Sequence, residues 1–350
     1  MRPGPAGHTA HRLARTFAEL FAGQVLAVSS PQGRFAAGAV LLDGARLVAS
    51  RAWGKQLFLG FADPSAEAAA GPDGPPPDDD LRWLRVHLGL YGAWTFAGDG
   101  SAAVVHAIGA PRRRIGERDS VPAGPLASLP APGDDWAPPA PRGAVRVRLL
   151  GEHAVADLTG PTACEVVSAD EVRAVEARLG PDPIRDDPAP AGGPERFVTA
   201  VRRSRTTVGQ LLMNQDVVAG VGNIYRAEVL FRAGLDPLTP GRDVPAETLR
   251  GIWDDLVVLM RDGATTGAIV TTRPQDREPD GATSPGAPSR PGAGRQEVRQ
   301  NTDGTAGSVL ADQAFYVYHR DGLPCRVCGT PVLMKDLAAR KLYWCPTCQR

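Results

Sequence analysis

No run of this chain approaches the ~20 consecutive apolar residues that a bilayer span requires, and Met1-Arg2-Pro3-Gly4 leads into no apolar signal core. Membrane insertion and secretion are set aside, and a soluble cytoplasmic protein is expected. Lysine is nearly missing: Lys55, Lys335 and Lys341 are the whole supply, and arginine makes up the rest of the 39 positive residues. Where composition favours guanidinium so heavily, each surviving amine invites a question about chemistry that arginine cannot perform. The first glutamate is Glu19. Between Ala62 and Asp80 there is no Lys or Arg, only Asp63, Glu67, Asp73, Asp78, Asp79 and Asp80. Net charge is zero, 39 basic against 39 acidic residues, so the whole-chain balance predicts no partner. The charges are nonetheless segregated. Arg196, Arg202, Arg203, Arg205, Arg226 and Arg232 crowd residues 196–233 against Asp216 and Glu228, and the C-terminal end is basic too. Those two stretches are where a polyanion would bind.

A length of 350 residues predicts two domains with connectors at ~150 residues each. Gly 40 and Pro 33 together imply long irregular segments between packed parts. Residues 9–22 predict an amphipathic helix, since Leu13, Phe17, Leu20 and Phe21 recur at helical spacing before Gly23. From Gln24 to about Gly151 short β-type runs follow: Val25–Val28, Ala39–Leu42, Gln56–Leu59 and Val145–Leu149. Pro64–Asp80 is aperiodic and predicts a loop insertion, and Pro181–Pro194 a linker. Arg196–Gln215, Asn223–Ala233 and Ala246–Gly263 predict helices. Thr271–Ser308, dense in Pro, Gly and Ser, predicts disorder.

The sharpest signal is Cys325-x2-Cys328 followed by Cys345-x2-Cys348. Two such turns on adjacent hairpins place four thiolates around one ion, the arrangement of a structural Zn²⁺ with no position left for a reactive water. The alternative is a pair of disulfides, which an oxidising compartment would favour. Cys164 is expected to be a buried small hydrophobe. A second signal is Val217-Val218-Ala219-Gly220-Val221-Gly222 leading into the helix at Asn223. Glycines let backbone N–H groups approach an anion, and the helix start adds its dipole. Asn223 is either a plain N-cap or a phosphate donor as well. A dinucleotide site is the competing reading, against which the element before the glycines reads as helix, not strand.

Together, Gln210–Tyr225 and Tyr343-Trp344-Cys345-Pro346-Thr347-Cys348-Gln349 resemble the formamidopyrimidine-DNA glycosylase/endonuclease VIII family, in its actinobacterial endonuclease VIII branch. The resemblance extends to Gly7–Ala14, Pro31–Phe35, Trp53-Gly54-Lys55 and His87–Gly92, and omits the insertions near 63–80, 112–141 and 271–308. It implies an α+β multidomain clamp of an N-terminal β-sandwich with leading helix (1–151), a helix-two-turns-helix domain (196–270) and a zinc finger (315–350), to which the composition adds a linker (181–195) and a disordered insertion (271–308). It implies base-excision repair by a DNA glycosylase/AP lyase acting as a monomer on double-stranded DNA with a damaged base or abasic site, in the nucleoid. By position, Lys55 matches a catalytic hairpin lysine, Asn223 and Arg340 the groups that hold backbone phosphates, and Leu90 and Tyr91 a loop that fills the gap left by an extruded base. The last two residues could equally be an ordinary buried strand end. Such extrusion is required because the glycosidic carbon is unreachable inside a duplex.

The match departs at the start. Where the family has a Pro-Glu pair, with the proline amine as nucleophile, this chain has Pro5-Ala6. Pro5 follows Gly4, so its nitrogen is a tertiary amide without a free lone pair, and Ala6 has no carboxylate. Three expectations follow: an enzyme of reduced or altered activity using Lys55 or the Met1 amine, a lesion-binding clamp without turnover, or an RNA- or protein-binding zinc module.

Overall fold

The computed structural model describes residues 6–63, 77–101, 107–109, 136–185, 193–277, 297–300 and 307–350. Pro5, the acidic stretch 64–76, most of 112–141 and most of 271–308 lie outside the described residues. The chain divides into two units, one covering Thr9–Arg178 and the other Leu179–Arg350 together with Ala6–His8.

The first unit is a pair of antiparallel sheets with a leading helix, α1 (Gly7–Phe21). One sheet runs β1 (Ala27–Ser29), β7 (Val145–Leu150), β8 (Ala154–Thr159), β5 (Ala93–Gly98), β6 (Ala107–Gly109). The other runs β2 (Arg46–Trp53), β3 (Gln56–Ala62), β4 (Arg82–His87), β9 (Ala163–Val167). Alternation decides which face is inward. In β7 Val145, Val147 and Leu149 are buried while Arg146 and Arg148 are not, and Arg148 makes a two-point ion pair with Asp157 of β8 at 2.7 Å. One apolar core gathers Leu13, Phe17 and Phe21 of α1, Leu57 and Leu59 of β3, and Trp94 and Phe96 of β5. The Phe17 ring meets Trp94 edge-on at 4.8 Å.

Two sequence expectations change here. Ala39–Leu42, expected as a strand, belongs to helix α2 (Ala36–Leu42), which buries Ala39 and Leu42 three residues apart and leaves Val40 exposed. A four-residue apolar run carries no period of its own. The N-terminal domain, expected to end at 151, continues through β8, β9 and α3 (Ala169–Ala177), because β8 pairs with both β7 and β5, and β9 with β4. At the edge of the acidic insertion, Asp78 bonds Arg51 at 2.6 Å.

In the second unit, α4 (Gly193–Arg202), α5 (Val208–Leu211), α6 (Asn223–Arg232) and α7 (Ala246–Thr266) share a core that includes Phe197, Leu212, Val218, Tyr225 and Leu256. The helix expected over Arg196–Gln215 is thus broken between α4 and α5. Hairpins β10 (Glu297–Gln300)/β11 (Gly307–Leu310) and β12 (Leu333–Leu337)/β13 (Arg340–Trp344) follow. The expected linker is not loose where described, since Asp182 and Ile184 are buried and Pro181 O accepts from Ala219 N–H at 3.0 Å. The expected disordered insertion likewise opens on Thr271 and Thr272, both fully buried, which bond the backbone of Ala314 and Gln313. Their hydroxyls have found partners, which composition alone cannot anticipate. Among the described residues no helix is long and apolar enough to cross a membrane.

Candidate functional site

The four cysteines converge as their spacing demands. The Sγ atoms of Cys325, Cys328, Cys345 and Cys348 all lie within 4.8 Å of one another, with Cys325–Cys348 at 3.8 Å and Cys328–Cys345 at 3.4 Å. A tetrahedron of ~2.3 Å Zn–S bonds sets sulfurs ~3.8 Å apart, so the cluster fits one structural zinc. All four are free thiols, which removes the disulfide alternative. Backbone bonds shape the turns: Gly329 N–H reaches Cys325 O at 2.9 Å, and Gln349 N–H reaches Cys345 O at 3.1 Å. Hydrogen bonds from Thr330 bring the Cys328 thiol down to about 6, favouring the thiolate that ligates.

The hairpin β12/β13 closes through Ala338-Ala339 and puts Arg340 first after the turn. It is joined to the start of α6. Asn223 is the first helical residue, and the N-cap is Gly222, so the N-cap reading of Asn223 is corrected. Its Nδ2 donates to Lys341 O at 3.0 Å, and Arg226 Nη2 donates to the same carbonyl at 2.9 Å and to Asn223 Oδ1. Tyr318 adjoins this group, its phenol pushed up to about 12 chiefly by burial. The glycine loop is more occupied than its sequence suggests: Gly220 N–H is taken by Gln215 Oε1 at 3.0 Å, and Gly220 O accepts from Gly7 N–H at 2.7 Å. Of the basic stretch, Arg202, Arg203 and Arg205 are exposed, Arg226 is buried, and Arg232 is committed to Asp255.

Below these groups Glu228 forms an anchor that the sequence did not reveal. It is fully buried, and its carboxylate accepts from the N–H groups of Tyr316, Val317 and Tyr318 at 2.8, 2.9 and 2.9 Å and from the Thr271 hydroxyl. It thereby fixes the chain entering the zinc finger onto α6. Nothing in a lone Glu on an amphipathic helix signals this.

Within the first unit, Lys55 occupies the two-residue turn between β2 and β3, where Trp53 pairs with Gln56. Gly54 precedes it with φ +59°, a left-handed turn conformation that glycine takes without strain. His87 pairs with Gln56 across β4. Its imidazole is pushed below the ordinary value by burial first, then by the charges of Lys55 and Arg85. Leu90 and Tyr91 lie on the turn between β4 and β5, which Gly92 N–H closes onto Leu88 O at 2.9 Å. Tyr91 is exposed, so the strand-end reading does not hold for it. Cys164 is partly buried against the core, and burial pushes its thiol up to about 12. Ala6 sits in the core of the second unit, its Cβ 3.2 Å from where a side chain on Gly222 would begin.

Comparison with known proteins matches the formamidopyrimidine-DNA glycosylase H2TH domain over residues 179–275 and the zinc finger found in FPG and IleRS over 322–350. Endonuclease 8 1 of Mycobacterium tuberculosis is 38% identical over 345 residues, covering 99% of each chain. Formamidopyrimidine-DNA glycosylase of Thermus thermophilus is 33% identical over 172 residues, 49% of this chain and 54% of that one. Among solved structures, a Lactococcus lactis Fpg complex with abasic-site DNA aligns over 99% of both chains at TM-score 0.62 and 17% identity. The MutM protein of Thermus thermophilus aligns at TM-score 0.59 and 23% identity, covering 99% of this chain and 98% of that one. Both structural likenesses speak to the fold.

Proposed function

The chain belongs to the formamidopyrimidine-DNA glycosylase/endonuclease VIII family of base-excision repair DNA glycosylases, and from that premise we propose an endonuclease VIII-type activity that removes a damaged base from duplex DNA and cleaves the resulting abasic site by β-elimination, with Lys55 as the amine. The observation that carries this reading is the placement of Lys55 at a hairpin turn, in a chain with two other lysines, while the Pro5 nitrogen is acylated by Gly4. Lys55 Nζ attacks C1′ and the damaged base departs with the glycosidic electron pair. The resulting iminium acidifies C2′, and loss of that proton expels the 3′ phosphate. His87, kept neutral by its surroundings, is the base available for the proton that Lys55 must shed. Asn223 and Arg340 hold backbone phosphates, Leu90 and Tyr91 occupy the gap left by the flipped nucleotide, and Zn²⁺ maintains the hairpin that presents Arg340. The partner is damaged or abasic double-stranded DNA, bound by a monomer in the nucleoid.

Borohydride trapping on an abasic oligonucleotide, with peptide mapping of the cross-link, tests this. Attachment at Lys55 and its loss in Lys55→Met is the expected result. Attachment at the Met1 amine would keep imine chemistry and remove Lys55 from it.

A second reading is favoured by one observation, the absence of a carboxylate at Ala6. A family member lacking its acid/base group loses ~10²–10⁴-fold in turnover and could serve as a lesion-binding clamp. No cross-link, together with tighter binding to abasic than to undamaged duplex, would establish the clamp. Equal binding to both duplexes would eliminate it.

A further inference from the structure

Arg226 is fully buried, yet among the described residues it has no carboxylate partner. Its guanidinium donates to three neutral acceptors, Gly209 O at 3.4 Å, Lys341 O at 2.9 Å and Asn223 Oδ1, and its Nε finds no acceptor among the described residues. The charged group that bears on it is Arg340, of like sign, and burial with that repulsion brings the guanidinium down to about 10. Tyr318, the other ionisable neighbour, holds its proton.

The contrast within α6 is instructive. Arg232, at the end of the same helix, is matched by a two-point ion pair with Asp255. Glu228, two residues from Arg226, spends its carboxylate on the amides of Tyr316, Val317 and Tyr318 and on Thr271. A buried cation left without an anion weighs against the folded state, and a second cation close by adds to the cost. A phosphodiester received by Asn223 and Arg340 would relieve both. We infer that Arg226 is a positioning residue for the bound strand: its guanidinium holds Asn223 and the Lys341 backbone in register and provides buried countercharge to the phosphate that Asn223 and Arg340 receive. This rests on the phosphate-binding reading of those two residues.

The test is the salt dependence of binding to a duplex carrying a tetrahydrofuran abasic analogue, with zinc content and melting temperature recorded for every protein. Arg226→Gln retains a donor for Lys341 O without the charge, and Arg226→Lys retains the charge without the fork. The slope of log K against log salt should fall by about 0.9 in Arg226→Gln and stay at the wild-type value in Arg226→Lys, with both weaker than wild type by about tenfold at low salt. A group that only glues the hairpin to α6 would weaken both variants at every salt concentration and leave both slopes unchanged, and that result overturns the inference. Should Arg226→Gln lose its zinc, Arg226→Met, read in its zinc-loaded form, decides: a slope lower by about 0.9 sustains the countercharge role, and a wild-type slope overturns it. Arg340→Gln separates the premise, since unchanged affinity and slope in that variant would remove the phosphate-binding reading itself.

Discussion

Glu228 ties three successive amide groups and a threonine hydroxyl to one turn of α6, with no water-exposed surface of its own. Removing the carboxylate leaves the three buried amides without that acceptor, while the Thr271 hydroxyl keeps Ala314 O. Glu228→Ala should therefore cost about 3–5 kcal/mol, seen in urea unfolding, with zinc released at a lower denaturant concentration than in wild type. A loss under 1 kcal/mol would show that water replaces the carboxylate. His87 gives a residue-scale prediction with a sign. Its folded pKa lies below the unfolded 6.5, so the unfolded chain binds more protons in that interval and stability rises with pH there. The contribution is complete above pH 6.5 and is lost as pH falls below it. In His87→Gln the acid limb of the stability profile attributable to this group should disappear, and trapping at Lys55 should slow at neutral pH. An unchanged trapping rate would leave His87 a structural role alone.

At the scale of the element, the β12/β13 turn holds backbone strain close to the candidate phosphate site. Ala338 and Ala339 both have positive φ, 51° and 58°, in a two-residue hairpin turn of the kind that Asn-Gly takes without strain. An L-residue with a Cβ gives up roughly 1–2 kcal/mol in that region. Ala338→Asn with Ala339→Gly should raise the chelator concentration needed to strip the zinc, and should leave DNA affinity within about twofold if the turn only presents Arg340. Weaker affinity would mean that the alanine methyls touch the strand. Legibility also divides by element. The cysteine spacing foretold the zinc cluster, and the Val-Arg-Val-Arg alternation foretold β7, because in each case spacing is the physical determinant. Ala39–Leu42 was opaque because four apolar residues carry no period, and Thr271 and Thr272 because a buried hydroxyl is satisfied by partners over forty residues away. Arg226 was visible as a basic residue, but its burial was not, since the acceptor that seats it lies on a hairpin more than a hundred residues later.

At the scale of the whole molecule, the second unit is assembled from separate parts of the sequence. Ala6–His8 belong to it, although the rest of α1 belongs to the first. Ala6 joins the apolar core and packs at Gly222, Gly7 N–H holds Gly220 O, and the His8 ring meets Tyr225 edge-on at 5.6 Å. These three residues close the face of the unit from which α6 begins, and α6 presents Asn223. A fragment of residues 179–350 would keep the zinc cysteines and the Glu228 anchor but lose that cover. Tyr225, fully buried in the intact protein and in ring contact with His8, would lie beneath the vacated position. Losing that cover exposes apolar core surface to water, so the fragment should bind zinc, melt below the corresponding transition of the full chain, and bind abasic duplex more weakly. A fragment as stable as the full chain would show that Ala6–His8 are passengers in that core. A fragment that loses stability but keeps its affinity would separate the packing of the N-terminal residues from the positioning of Asn223.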